Sequence, residues 1–589
     1  MQPTLAPSRG QSIPPSSRRR RSRRHRSSPK NFGGGSGKKV NIIVLGGAEE
    51  VGRNCTLIEY EDDIIIIDAG LQFPEEDMPG IDYIIPNIAY LRGKEKNVRG
   101  MLITHGHYDH IVGIPHMAPR LGNPPIFGTK LTLAIIKKRQ DDFKNTPPLN
   151  LRVIDPTKYM QLGKFRVEFF RVNHNIPDCI GFVVKTPEGT IVHTGDMKFD
   201  YTPVIDPPAD YQRIAEVGKE GVALLLSDST NAANPGHQLS ERAIGADLRD
   251  IIHKAKGRVI VGTFSSLLSR IQQVIWFAEE CGRKVVIDGF SMKTNVEISR
   301  TLGYLTVNPR TLISPHEANK LPPEKVLIMC TGAQGEDRAV LMRIATREHR
   351  FFRLEKGDTV VFSSSVVPGN ERTVARLRDS LIREGANVFH YKMMDIHAGG
   401  HSCQEDLKLL FSLLKPKYVV PIMGEIGMTN AAISVAKSIG WTDETALMTF
   451  NGRVMELSNG HVRLTQTKVP TDYVFVDGLG VGDVSDVVLR DRLQMADEGM
   501  VVIIASVDAQ TGKLIGEPDI ISRGFVYMKN SKRLIDETRA KVKDILTDKS
   551  PEVSANESYL RNKIRDDIGQ FLFTRTERRP MVLPVIFEV

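Results

Sequence analysis

The sequence predicts an α/β protein of several domains: a strand-rich sandwich with helices outside, a doubly wound α/β domain inserted into it, and a small α/β domain at the C-terminal end. Three observations carry this expectation. Short apolar runs divided by turn residues fill the chain from Val40 to about Ser227. From Ser240 helices and strands alternate at the spacing of βα units as far as Tyr391. Strand-rich character then returns at Asp395–Met423, so the alternating part reads as an insertion. At about 100–200 residues per domain, 589 residues hold three to five domains.

In order along the chain, residues 1–39 hold 11 of the 79 Lys and Arg and no Asp or Glu. The remainder keeps 68 basic against 70 acidic residues, a net charge of −2, so the formal +9 of the whole chain belongs to this tail. Arg18-Arg19-Arg20-Arg21-Ser22-Arg23-Arg24-His25-Arg26, followed by Gly33-Gly34-Gly35-Ser36-Gly37, buries no apolar area and reads as disordered. It suits an electrostatic arm for RNA or another polyanion, with a solubilising extension and an organelle transit peptide as the alternatives. No apolar stretch follows the arginines, which argues against a secretory or twin-arginine signal.

Expected strands are Val40–Leu45, Thr56–Glu59, Ile64–Asp68, Met101–Thr104, Val167–Arg171, Ile180–Lys185, Thr190–His193 and Val222–Ser227. Apolar residues on both faces of these runs require cover on both sides of each sheet. The insertion is expected to run through helix 240–255, strand Arg258–Thr263, helix 268–281, strand Lys284–Asp288 and helix 293–302. Strand Lys325–Cys330, helix 336–347, strand Thr359–Ser363, helix 370–384 and strand Asn387–Tyr391 follow. The sandwich resumes over 395–464, a polar linker covers 465–472, and a last domain spans 473–589 with strands Met500–Val507 and Phe525–Tyr527 and helix 532–546. No apolar run approaches the roughly 18 residues of a membrane-spanning helix; Ile64-Ile65-Ile66-Ile67 is strand-sized. The five cysteines (Cys55, Cys179, Cys281, Cys330, Cys403) are scattered, odd in number and lack a C-x-x-C pair. That argues against a disulfide framework, a thiolate zinc site and a secreted life, and points to the cytoplasm.

The most informative string is Thr104-His105-Gly106-His107-Tyr108-Asp109-His110. A loop at a strand end gathers His105, His107, Asp109 and His110 on one side, whereas a helix would spread them around its circumference. Imidazole and carboxylate suit zinc, and two adjacent sets suit two metals. His174, after strand Val167–Arg171, and Asp196, closing His193-Thr194-Gly195-Asp196, add a third histidine and a bridging carboxylate. In Asp395-Ile396-His397-Ala398-Gly399-Gly400-His401 two histidines stand four apart around a Gly-Gly that opposes a helix and allows close approach of a ligand. Thr331–Glu336 and Ser363-Ser364-Ser365 through Pro368-Gly369-Asn370 each lead from a strand into an expected helix, a natural place for phosphate.

Asp68, the His105–His110 string, His174 and Asp196, in that order, resemble the four core motifs of the metallo-β-lactamase fold, and the insertion resembles its β-CASP branch. Several further strings resemble the ribonuclease J family. They are Gly46–Asn54, Phe73-Pro74-Glu75, Ser227-Asp228-Ser229-Thr230-Asn231, Thr331–Glu336, Pro368-Gly369-Asn370-Glu371, Ile521–Met528 and Arg578-Arg579-Pro580-Met581. The resemblance covers about 40 to 589. It implies an αββα sandwich carrying a doubly wound β-CASP domain over 241–394, with the sandwich itself made by 40–240 and 395–464.

By position, the resemblance implies that His105, His107 and His174 hold one Zn²⁺, that Asp109 and His110 hold a second, and that Asp196 bridges them. Asp68 is implied to orient the cluster and, with Asp109 and His401, to serve catalysis, His401 by assisting the leaving oxygen or stabilising the transition state. RNA phosphates are implied at His397, Ala398, Gly399, Gly400, His401, Ser364 and Ser365, with Phe73 as a base-stacking ring. The implied activity is zinc-dependent cleavage of single-stranded RNA, internally and 5′-to-3′ from a 5′-monophosphate, in RNA maturation and decay. Mn²⁺ or Mg²⁺ are possible substitutes for zinc, and a homodimer or homotetramer through 473–589 is implied. One departure stands out: Pro421-Ile422-Met423-Gly424-Glu425 puts Met423 where the family has a histidine ligand of the second metal, and a thioether is a poor ligand among carboxylates. Ser269, Leu267 and Phe290 are lesser departures, the first two where His and Asn are usual and Phe290 where Arg is. The alternative reading is therefore a catalytically weak paralogue acting as an RNA-binding or complex-forming subunit.

Overall fold

The computed structural model describes residues 38–75, 77–144, 146–336, 338–367, 369–394, 396–508, 513–526, 531–547 and 557–589. The basic tail to residue 37, Pro368, Asp395 and Tyr527-Met528, named above, lie outside the described residues.

Two sheets face each other. The first has eight strands in the order His461–Lys468, Arg453–Ser458, Val40–Gly46, Cys55–Tyr60, Asp63–Ile67, Val98–Leu102, Ile126–Gly128 and Leu151–Val153. The second has six, in the order Tyr418–Ile422, Leu224–Asp228, Gly189–His193, Ile180–Thr186, Phe165–Arg171 and Met160–Leu162. The isoleucine run shows why both faces must be covered. Side chains alternate across a strand, so Ile65 and Ile67 join Ile42, Val44, Phe169, Phe182 and Leu224 between the sheets. Ile64 and Ile66 turn outward into the cluster that includes Ile114, Met117 and Leu131 of the covering helices.

The chain leaves the second sheet at Asp228 and returns at Tyr418–Ile422, which pairs in parallel with Leu224–Asp228, Ile422 opposite Asp228. Between them lies a five-stranded, wholly parallel sheet in the order Lys284–Asp288, Val326–Cys330, Val259–Gly262, Thr359–Phe362 and Asn387–His390. Helices Gly245–Lys254, Leu268–Glu280, Phe290–Thr301 and Glu371–Arg383 accompany it. The C-terminal sheet has Met500–Val507 at its centre, antiparallel to Leu514–Arg523 and parallel to Met581–Glu588. Helices Lys532–Thr547 and Glu557–Thr576 cover it through Ile535, Val542, Ile564 and Ile568.

Several sequence expectations need correction. The helix expected over 336–347 is only Val340–Ala345, so Thr331–Glu336 does not abut a helix N-terminus and the dipole argument for phosphate there fails. The helix expected over 240–255 begins at Gly245. Phe525 follows strand Leu514–Arg523 in a turn instead of forming a strand. Thr465–Lys468, which reads as linker because of its polar composition, completes the edge strand His461–Lys468, where one side of each residue meets solvent. Val474–Asp477 in turn pairs with Tyr83–Ile85 instead of beginning an isolated last domain.

Candidate active site

Asp68, the histidine string, His174, Asp196 and Asp228 stand at or just past the ends of sandwich strands and collect on one edge. Asp68 follows Asp63–Ile67 and the histidine string follows the neighbouring parallel strand Val98–Leu102, Ile67 paired with Leu102. His174 follows Phe165–Arg171, Asp196 follows Gly189–His193, and Asp228 ends Leu224–Asp228. Within the string, Tyr108–Ile111 winds into a single helical turn, where the sequence predicts a loop throughout. The turn directs His110 fully inward and leaves the Asp109 side chain 33% exposed, so these adjacent residues reach the cluster from different directions.

Three donor groups share the Asp196 carboxylate, the third formed with Asp228 and His401. His105, His107, His174 and Asp196 offer ligand atoms to one point, and Asp109, His110 and Asp196 to another. Asp196 Oδ2 lies 3.7 Å from His105 Nε2, 3.6 Å from His174 Nε2 and 3.3 Å from His110 Nε2. His107 Nδ1 stands 3.0 Å from His174 Nε2, and Asp109 Oδ2 stands 3.4 Å from His110 Nε2. These separations are those of atoms sharing an ion at about 2.0–2.2 Å. The buried His105 Nε2 has no hydrogen-bond partner, a cost that a cation at this point removes. The donor set fits divalent metal.

Supporting groups fix which nitrogen faces the cluster. His174 Nδ1 donates to the Gly400 carbonyl at 2.7 Å, leaving Nε2 free. A Cβ on Gly400 would come within 2.5 Å of the His174 ring, so this glycine is required by the imidazole it packs on, whereas the sequence suggests room for a ligand. His110 Nδ1 lies 2.8 Å from Asp68 Oδ2, and Asp68 in turn accepts from the Thr104 amide at 2.8 Å and from the Thr104 hydroxyl. Asp68 is thus an orienting carboxylate behind His110.

The electrostatics divide the groups. Burial, then neighbouring imidazoles, hold His105 and His174 well below the ordinary histidine range, and burial takes His107 down to about 4. Burial acts the same way on His110, but Asp196, Asp109 and Asp68 outweigh it and hold that ring well above its usual value. Burial raises Asp196. Burial opposes ionisation of Asp109, but the charge and hydrogen bond of His110 together with the His107 charge outweigh it and hold the carboxyl well below its usual range.

His401 lies against this edge, its ring centroid 4.8 Å from that of His174. Its Nδ1 is 2.8 Å from Asp228 Oδ2. Asp228 also accepts from the Met197 amide at 3.2 Å and from the amide and hydroxyl of Thr230 at 2.9 and 2.8 Å. Against burial, Asp228 and Asp196 push His401 up to about 9, so it carries a proton at neutral pH. Sequence reasoning assigns Asp228 no role; the available signal is a third strand-end acid, like Asp68 and Asp196.

The second predicted group of residues also converges. Gln334 donates to Ser364 Oγ at 3.2 Å and to the Ser365 carbonyl at 2.5 Å, tying the two strand-end loops together. Buried Arg270 donates to the carbonyls of Ser363 and Ile396 at 3.3 and 2.7 Å and pairs with Glu241 at 3.1 Å. The serine loop is thereby held to the segment bearing His397, Ala398, Gly399 and Gly400. Burial, Arg270 and Lys198 take His397 down to about 3, and its Nδ1 is buried without a partner. Phe73 is 70% exposed and Phe290 80%, both free to meet a planar ligand. Met423 is buried, its side chain in the apolar cluster between the sheets with Val44, Ala48 and Ile422.

The sandwich and its strand-end donors define a hydrolase of the metallo-β-lactamase superfamily, whose family model matches residues 48–239. Models for the ribonuclease J beta-CASP domain and the ribonuclease J C-terminal domain match 256–381 and 487–589. The chain is 38% identical over 552 residues to Ribonuclease J2 of Bacillus subtilis, covering 94% of this chain and 99% of that one. It is 41% identical over 562 residues to Ribonuclease J of Thermus thermophilus, covering 93% and 95%. The crystal structure of a protein of unknown function from Enterococcus faecalis superposes with a TM-score of 0.51 at 15% identity, over 72% of this chain and all of that one, and shares the fold. The chain belongs to the ribonuclease J family, and it is a metal-dependent ribonuclease.

Proposed function

We propose that this ribonuclease uses two zinc ions to hydrolyse single-stranded RNA, internally and 5′-to-3′ from a 5′-monophosphate end, releasing 5′-phosphates. The observation that carries the reading is the pair of donor groups meeting at Asp196, with His401 beside them held at Nδ1 by Asp228 at 2.8 Å. His105, His107 and His174 with Asp196 would hold one ion, and Asp109 and His110 with Asp196 the other. When bound, such ions supply positive charge to a phosphodiester and make water nucleophilic at neutral pH. Asp68 fixes His110 through Nδ1, and Gly400 fixes His174 in the same way. Asp228 holds the His401 ring by Nδ1, leaving Nε2 to deliver its proton to the departing oxygen, a contribution of about 10²–10⁴ in rate.

The serine loop and the His397–Gly400 segment are suited to a terminal phosphate, since the hydroxyls of Ser364 and Ser365 stand beside His397 in segments held together by Gln334 and Arg270. Phe73 supplies an exposed ring for an unpaired base. The 11 basic residues of the tail add sequence-independent attraction to RNA. On this reading the protein acts in the cytoplasm on RNA maturation and decay, as a dimer or tetramer through 473–589. Matched RNAs with a 5′-monophosphate and a 5′-triphosphate, labelled at the 5′ end and incubated with zinc-loaded protein, test the proposal. Faster decay of the monophosphate is expected; equal rates would remove the terminal-phosphate pocket. Absence of cleavage with metal bound would favour an RNA-binding subunit.

A further inference from the structure

Asn54 stands at the second donor group without a role in anything above. It is 4% exposed, and its backbone is clamped on both sides: its amide donates to the Asp109 carbonyl at 3.1 Å and its carbonyl accepts from Gly70 at 3.0 Å. Its side-chain nitrogen reaches His110 Nε2 at 3.0 Å, the Asp109 carbonyl at 3.2 Å and Asp109 Oδ2 at 3.4 Å. Its side-chain oxygen is buried with no hydrogen-bond partner.

These distances set the carboxamide apart from an ordinary packing polar group. His110 Nε2 is 3.3 Å from Asp196 Oδ2, 3.4 Å from Asp109 Oδ2 and 3.0 Å from the end of Asn54. Ligands at about 2.1 Å from one ion are separated by about 3.0 Å at right angles and about 3.4 Å in a tetrahedron. Asn54 thus stands with Asp109 and Asp196 around His110 Nε2, on a side chain held in place by its own backbone. In the free chain the NH₂ group of Asn54 faces this point, beside His110 Nε2 and Asp109 Oδ2. A half-turn about the last side-chain bond exchanges nitrogen for oxygen and directs the unpartnered oxygen to the same point. An amide flip of this kind costs no change in shape.

We propose that Asn54 is a ligand of the second metal, its carboxamide oxygen completing the shell formed by Asp109, His110 and Asp196 in a chain that carries Met423 in place of the histidine. The inference rests on the two-ion reading given above. It has a chemical consequence: an oxygen-rich shell of two carboxylates, one amide and one imidazole suits Mn²⁺ or Mg²⁺ better than a histidine-rich one does.

Metal titration of the full-length chain, stripped with chelator and followed by bound-ion counting at equilibrium, tests it through Asn54→Ala and Asn54→Asp. Wild type should bind two Mn²⁺. Asn54→Ala should keep the first ion with unchanged affinity and weaken the second by tenfold or more. Asn54→Asp should retain the second, since a carboxylate ligates as an amide oxygen does but cannot donate a hydrogen bond to the Asp109 carbonyl. Unchanged second-ion affinity in Asn54→Ala overturns the proposal, as does equal weakening by both substitutions, which would mark Asn54 as a donor that merely props the loop. If Asn54→Ala does not fold, Asn54→Asp alone decides by the same criterion. A wild type that takes up one ion only would overturn the two-ion reading itself, an outcome distinct from two ions indifferent to Asn54.

Discussion

His105, His107 and His174 surround one side of Asp196, and Asp109 and His110 the other, yet the two sides prepare for a cation differently. On the first, burial strips the imidazoles of protons, so three neutral lone pairs wait. On the second, three carboxylates crowd one imidazole and hold a proton on it. A neutral set binds without displacing anything, whereas the anionic set attracts a cation more strongly but must first release His110's proton. The comparison teaches that two groups sharing an atom need not be equivalent, and that the second depends more on pH and on the neighbours supplying its remaining ligands.

Removing either side of the cluster should have the largest effect. His107→Ala with His174→Ala, and separately Asp109→Ala with His110→Ala, should each abolish RNA cleavage while leaving circular dichroism unchanged. Their metal contents should differ: the first pair should leave one ion on the carboxylate side, the second one ion on the histidine side. Undiminished turnover in either double variant would remove the metal cluster from the mechanism.

Acidity should act on the two sides unequally. In the metal-free chain His110 is held above its ordinary range and His107 down to about 4. Lowering the pH should therefore weaken the second ion before the first, a proton competing for the His110 ligand while His107 stays neutral until the pH nears 4. Calorimetric titrations in buffers of different ionisation enthalpy should show more proton release with the second ion than with the first. Equal proton release from both steps would show the two sides to be electrostatically alike.

Much of this asymmetry is legible in the sequence. His105, His107, Asp109 and His110 lie within six residues, and a strand end before them allows only a local gathering. His174 and Asp196 need the sheet to bring them in, and their strand-end positions are enough to nominate them. Asp228 and Asn54 escape such a reading because neither acts through its local string: Asp228 meets His401 across 173 residues, and Asn54 meets His110 across 56. The failures of element boundaries have the same origin. Thr465–Lys468 is polar because it is an edge strand, and Val340–Ala345 is short because the preceding glutamine turn serves the serine loop instead of extending the helix. Local composition does not report either tertiary demand.

The smallest expected effect comes from Met423→His, which asks whether the second side has lost a ligand or simply uses a different one. Met423 is 3% exposed among apolar side chains between the sheets. Its backbone is fixed, the amide donating to the Gly47 carbonyl at 2.5 Å and the carbonyl accepting from the Thr230 hydroxyl at 2.8 Å, with φ at +60°. A backbone held this firmly does not swing a new side chain toward the metal edge. An imidazole there should instead exchange a flexible thioether, well suited to filling gaps, for a buried polar ring without a partner. The expected result is a lower melting temperature, equivalent to roughly 1–3 kcal/mol, with the number and affinity of bound ions unchanged. A rise in second-ion affinity at unchanged stability would mean that position 423 reaches the second group after all. The carboxylate side would then be a depleted copy of an ordinary site, and the contrast with the histidine side would owe more to one substitution than to the arrangement of charge.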